Sequence, residues 1–147
     1  MMYLAVGLND PDKSIAAKVI HFFTRSCAYH VELIFSDNAS LVVVPTLVGY
    51  TDRIYDYYHW QTIPLDFISK KEEKEIRARA DEFMAKKPKY DYLGAILGFF
   101  GTNRQDSSKW YCGELVAELL KNKITEFNDL KWATPEIVWK TISEKTK

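Results

Sequence analysis

Apolar and polar positions change their period along the chain, and each change predicts an element. The opening "MYLAVGL" is a short apolar run of strand formers. In "SIAAKVIHFFTR" the apolar residues recur at helical spacing behind Ser14, placed as an N-cap. "HVELIF" then alternates: Val31, Leu33 and Phe35 project to one side of a strand, His30, Glu32 and Ile34 to the other. Asp37-Asn38 is a turn signal, and the β-branched run "LVVVP" after it closes a hairpin with that strand. From Arg53 to Leu65, "RIYDYYHWQTIPL" is rich in tyrosine and other strand formers and predicts one or two further strands.

The texture becomes helical at Ser69. "SKKEEKEIRARADEFMAKK" carries a capping box from Ser69 to Glu72 and an apolar line through Ile76, Ala80 and Phe83, an amphipathic helix stopped by Pro88. Asp91 is placed to cap a helix through "YLGAILGFF"; "GTNRQDSS" breaks the chain, and another helix begins near Trp110. Thr134-Pro135-Glu136 sets an N-cap, a first-turn proline and an acidic residue in helix-start order. Helix, strands, then helices specify an α+β fold with an antiparallel sheet packed against helices. With no repeat, low-complexity tract or linker, residues 1–147 read as a single domain.

Composition narrows the partners. At 47% hydrophobic and 27% charged, the chain suits one sizeable core. Lysine plus arginine equal aspartate plus glutamate at 20 each, so no net field draws nucleic acid, and none is expected as a partner. The most apolar later run, "YLGAILGFFG", is roughly half the length of a membrane span, so no span is expected either. The start, "MMYLAVGLNDPDKS", lacks the charged leader and cleavage site of a signal peptide, which points to a cytoplasmic location with Cys27 and Cys112 as reduced thiols.

Cys112 stands in "KWYCGELV", where a polar segment gives way to a helical pattern. It shares a stripe with Leu115, Val116 and Leu119, and on that pattern alone packing is the simpler reading, since unreactive cysteine is among the most buried residue types. Its position in the first helical turn supports the other reading: unpaired N–H groups and the positive end of the dipole favour thiolate. The readings are compatible if the helix lays its stripe on the sheet and aims Cys112 at residues there. Of the histidines that might serve as base, His21 falls in a helix pattern and His59 lies between Tyr58 and Trp60, both ordinary settings. His30 has Glu32 two residues on and on the same face, where a carboxylate orients imidazole and stabilises its charged form. By itself the pair also reads simply as a polar strand face. A metal site of His30, Glu32 and Cys112 is a weaker signal by spacing, and no cofactor is called for.

"YHVELIF", followed some eighty residues later by "WYCGELVAELL", resembles the circularly permuted branch of the NlpC-type papain-like cysteine hydrolases, the YiiX/YebB-like group. There the histidine strand precedes the cysteine helix, the reverse of papain's order. The family motifs are similar to an "SHVEL" strand and a "YCSELV" helix start, which stand here as Tyr29 to Leu33 and Tyr111 to Val116. "KPKYDYLG" is similar to a tyrosine-containing segment ahead of the nucleophile helix in relatives. The resemblance implies a permuted papain-like fold in which Cys112 is the nucleophile, His30 the general base, Glu32 the orienting group and Tyr90 an aid at the oxyanion. In related families the third polar residue lies on the next strand, where Ser40 is the nearby substitute. Gly113 departs from the serine that often follows the nucleophile, and Ala28 from the serine that often begins the histidine motif.

The expectation is a cysteine peptidase or amidase-like hydrolase, acting on an amide, peptide or acyl-ester bond through an acyl-enzyme. The resemblance spans cell-wall peptidases, amidases and acyltransferases of the lecithin retinol acyltransferase kind. Tyr55, Tyr57, Tyr58 and Trp60 either line a substrate groove or pack a half-buried strand. The alternative is a binding module that keeps the fold without the activity. The hydrolase reading requires Cys112 and His30, 82 positions apart, to lie side by side across a sheet–helix interface.

Overall fold

The computed structural model describes residues 1–8, 27–44, 47–52, 60–91, 109–130 and 133–146. The helices expected behind Ser14 and through "YLGAILGFF", and His21, His59, Tyr55, Tyr57 and Tyr58, lie outside the described residues.

Five strands, β1 (Tyr3–Leu8), β2 (Ala28–Ile34), β3 (Ser40–Val44), β4 (Leu47–Thr51) and β5 (Trp60–Pro64), form one sheet in the order β4-β3-β2-β1-β5. Every pairing in it is antiparallel. The β2–β3 hairpin turns at Asp37-Asn38 as the sequence predicts. Asn38 takes left-handed backbone at φ 67, which asparagine tolerates, and the Asp37 carboxylate accepts the Ala39 N–H at 3.1 Å. Beyond the turn β2 and β3 pair only at Leu33–Leu41 and Ile34–Ser40, although both strands continue, so they splay apart toward His30. β4 carries no strand signal in the sequence, because Pro45 precedes it and Gly49 interrupts it; its pairing with all of β3 supplies what its composition does not.

Helix α1 (Lys70–Ala85) has the capping box expected of it: Ser69 accepts the Glu72 N–H and the Glu72 carboxylate accepts the Ser69 N–H. Helix α2 spans Cys112–Leu120, starting two residues later than the sequence suggests. Lys109–Trp110 are instead a short strand, β7, paired parallel with β6 (Lys89–Tyr90). Two-residue strands whose partners lie twenty residues away leave no periodicity to read. Helix α3 (Pro135–Lys145) begins at Thr134, whose hydroxyl accepts the Ile137 N–H at 3.3 Å.

The described residues thus form an α+β structure with a five-stranded antiparallel sheet and three α-helices. None of these helices is long and apolar enough to cross a membrane. Val31, Leu33 and Phe35 join Leu4 and Val6 in a core closed by Ile76 of α1, Leu115 and Leu119 of α2 and Val138 of α3. The opposite side of the sheet is buried as well. Ala5 and Val42 are fully covered there, and so is Glu32, which stands opposite Ala5. The polar face of β2 that alternation marks is therefore an interior one.

Candidate active site

The site starts from an irregularity in β2. Gly7 of β1 faces His30 and Leu8 faces Ala28, so Tyr29 is an extra residue, a bulge that re-aims the side chains around it. Gly7 makes room for this, because a Cβ there would lie 3.0 Å from the Tyr29 ring. Gly7 also faces Trp60 on its other flank, and the His30 and Trp60 rings meet edge to face across it, centroids 6.0 Å apart.

His30 Nε2 lies 3.0 Å from Glu32 Oε1, a hydrogen bond between residues one pleat apart on the same side of the strand. The other Glu32 oxygen accepts the Ser40 hydroxyl at 2.7 Å. Ser40 is the first residue of β3 and sits opposite Ile34, hence on Glu32's side of the sheet. Glu32 and Ser40 are fully buried and His30 nearly so. A buried carboxylate is expensive without partners, and here both oxygens are engaged. Ser40, expected as a substitute for Glu32, instead stands behind it.

Cys112 is brought to this line by the start of α2. Tyr111, the N-cap, is extended and makes no side-chain cap. Its hydroxyl accepts the Ala133 N–H at 3.3 Å, tying the helix start to the chain entering α3. Gly113 lies so close to that chain that a Cβ would fall 1.8 Å from the Ala133 carbonyl oxygen. The departure from serine at this position is thus a packing requirement, and it touches no catalytic group.

The Cys112 thiol is acted on by the His30 ring and by the backbone N–H groups of Val31 and Gly113. Since Nε2 serves Glu32, Nδ1 is the nitrogen left for the thiol. Val31 lies on the part of β2 that β3 does not pair. Burial pushes the Cys112 thiol up, but the His30 charge, its hydrogen bond and the two N–H groups outweigh that and hold it below the ordinary thiol range. Burial pushes His30 down, yet its attraction and hydrogen bonds to Cys112 and Glu32 hold it well above the ordinary imidazole range. Both shifts favour the charged forms, thiolate and imidazolium, with Glu32 and Ser40 behind.

The structure therefore gathers Cys112, His30, Glu32 and Ser40. Tyr90 stands on β6, half-buried, facing Trp110 two residues before Cys112. It lines a cleft with residues 47–50, Met84 and residues 87–89, to which neither Cys112 nor His30 contributes. Trp60 packs on His30. Cys27 is a free, exposed thiol. Among the described residues no group of three or more His, Cys, Asp or Glu side chains is arranged to hold a metal ion, which leaves the metal alternative without a geometry.

Two features had no counterpart in the sequence reading. The Val31 amide is invisible there because it depends on the splay of β3. Glu114, in the first turn of α2, is pushed up to about 7 by burial, against the Tyr111 backbone hydrogen bond and with the Asp91 carboxylate adding to the rise. Its place three residues after the N-cap was the available signal. Compared with protein-family models, curated proteins and solved structures, the chain returns no match.

Proposed function

We propose that the chain is a thiol-dependent hydrolase of the circularly permuted papain-like kind, a peptidase or amidase acting on an amide, peptide or acyl-ester bond. The Cys112 thiolate attacks the carbonyl carbon and the carbonyl π pair moves to oxygen. As the tetrahedral intermediate collapses, the bond to the leaving nitrogen or oxygen breaks and His30 gives its proton to that atom, leaving a thioester on Cys112. Water then attacks the thioester carbonyl while His30 takes its proton. Collapse releases the carboxylic acid and restores the ion pair. Glu32 holds the ring through Nε2 and balances the imidazolium charge, and Ser40 fixes Glu32. The Cys112 backbone N–H, with Tyr90 from the neighbouring strand, is assigned to the developing oxyanion.

The observation that carries this reading is that buried Cys112, at a helix start, and buried His30 act on each other, lowering the thiol and raising the imidazole, with Glu32 backing His30 on the same strand. A structural cysteine has no use for an imidazolium, and a buried histidine with no chemical role is better left neutral. The strand-then-helix order of His30 and Cys112 supports the permuted assignment. Labelling with an electrophilic acyl probe tests it: wild type should acylate at Cys112 and turn over, and Cys112→Ala should not label. A binding module is the reading favoured by the burial of Cys112, only 5% exposed. It requires the wild-type protein to resist the probe as the variant does.

A further inference from the structure

We propose that Glu114 and Asp91, two carboxyl groups gathered at the start of α2, form a pH-dependent brake on acyl transfer: protonated Glu114 lets the oxyanion form at the Cys112 N–H, and ionised Glu114 opposes it. The inference rests on the hydrolase reading and adds control of its first step. Chain geometry brings the two groups together. Tyr90 pairs with Trp110 in the parallel β6–β7 ladder, and the Asp91 N–H donates to the Trp110 carbonyl at 2.9 Å, so the next residues along, Asp91 and Tyr111, come side by side. Asp91 is buried and Glu114 half-buried. Tyr111 is the N-cap of α2 and supplies no side-chain cap, while Glu114 holds the N3 position, from which an acidic side chain turns back to the N-cap amide. The Tyr111 N–H does act on the Glu114 carboxylate. Helix geometry puts the Glu114 Cα about 5–6 Å from that of Cys112, whose N–H is assigned to the oxyanion.

The Tyr111 hydroxyl feels the same neighbourhood: burial pushes it up, and so do the charges of Glu114, Cys112 and Asp91, against the Ala133 N–H. For Glu114 itself, burial makes a charge costly and the Asp91 carboxylate adds to the cost, so its charge changes near pH 7, while His30 keeps its proton until about 10. Above pH 7 a negative charge is therefore added in the first turn of α2, where the tetrahedral intermediate must also gather negative charge. Other charged groups around α2 have partners of their own. Arg79 of α1 donates to the Leu119 carbonyl, Glu118 pairs with Lys121, Glu136 of α3 with Lys140, Glu126 beyond α2 with Lys145, and His30 with Glu32 on β2. Asp91 and Tyr111 are the groups that act on Glu114.

The test is the pH profile of Cys112 acylation by p-nitrophenyl acetate from pH 5.5 to 8.5, corrected with Cys112→Ala. The sulfur takes the acetyl group and p-nitrophenolate leaves without needing a proton, so the rate reports attack and oxyanion formation. In the wild type it should fall about fivefold through pH 7. Glu114→Gln, which cannot ionise, should give a flat profile, and Asp91→Asn should move the fall to lower pH. Thermal melts report folding, and if Asp91→Asn does not fold, Glu114→Gln decides. Alkylation by iodoacetamide builds no oxyanion and should show no such fall in any of these proteins, which separates the brake from a structural role or an effect on the thiol. A wild-type acylation rate with no fall, a fall that survives in Glu114→Gln, or the same fall in alkylation overturns the proposal and leaves the hydrolase reading standing. No acylation of Cys112 at any pH overturns the hydrolase reading and this inference with it.

Discussion

Cys27, on the approach to β2, and Cys112, at the start of α2, are the same side chain in opposite settings. Cys27 is exposed and Cys112 is buried, so accessibility alone ranks Cys27 as the more reactive. Surroundings rank them the other way. Cys112 has the His30 ring, two backbone N–H groups and a first-turn position, all acting toward the nucleophilic form. A buried position is what makes the His30 partner effective, because water no longer screens the pair.

The comparison breaks most decisively at the ion pair itself. Cys112→Ala should abolish turnover of an activated ester, and His30→Ala should cost nearly as much, at least about 10³-fold, since base and nucleophile act as a unit. Cys27→Ala should leave the rate unchanged. The scaffold under Cys112 comes next. Gly113→Ala forces a methyl into the Ala133 carbonyl and should destabilise the fold by about 3 kcal/mol, read as a lower denaturation midpoint at constant slope.

Behind the pair the effects shrink with distance from the sulfur. Glu32→Gln keeps a hydrogen-bonding oxygen beside His30 but loses the charge, and a reduction of about 10- to 100-fold in kcat/KM is expected. Ser40→Ala removes the contact to the far Glu32 oxygen and should cost a few-fold. If Glu32→Gln kept full activity while Ser40→Ala lost it, the third role would pass to Ser40.

The smallest effect concerns Glu114. Its folded-state pKa is raised above the unfolded value, so the folded form holds the proton longer and stability falls as pH rises from about 4.5 to about 7. Glu114→Gln should therefore raise the melting temperature by a few degrees at pH 8 and leave it nearly unchanged at pH 4.

What the sequence reveals follows from how local each feature is. The β2–β3 hairpin, the Ser69–Glu72 box and the Thr134–Pro135 helix start depend on residues within four positions of one another, and the structure has all three. β4 and the β6–β7 pair are held by distant partners, so their own composition says little. At the site, alternation put His30 beside Glu32 correctly. It did not say what covers that face, because periodicity reports only which residues share a side. No spacing rule joins positions 30 and 112; only the motif resemblance did that. Gly113 looked like a departure until the Ala133 carbonyl gave it a reason.

The central claim is that Cys112 rests as a thiolate paired with His30, and the pH dependence of its alkylation tests this most directly. Peptide mapping after iodoacetamide treatment would follow Cys112 and Cys27 separately. The lowered Cys112 thiol keeps its charge until pH falls through its folded value, and the raised His30 keeps its proton until pH nears about 10. Between those limits the Cys112 rate should be nearly flat, and Cys112 should label ahead of Cys27 at pH 6. A Cys112 rate that climbs about tenfold per pH unit toward the ordinary thiol value near 8.5, or preferential labelling of Cys27 at pH 6, would contradict the account.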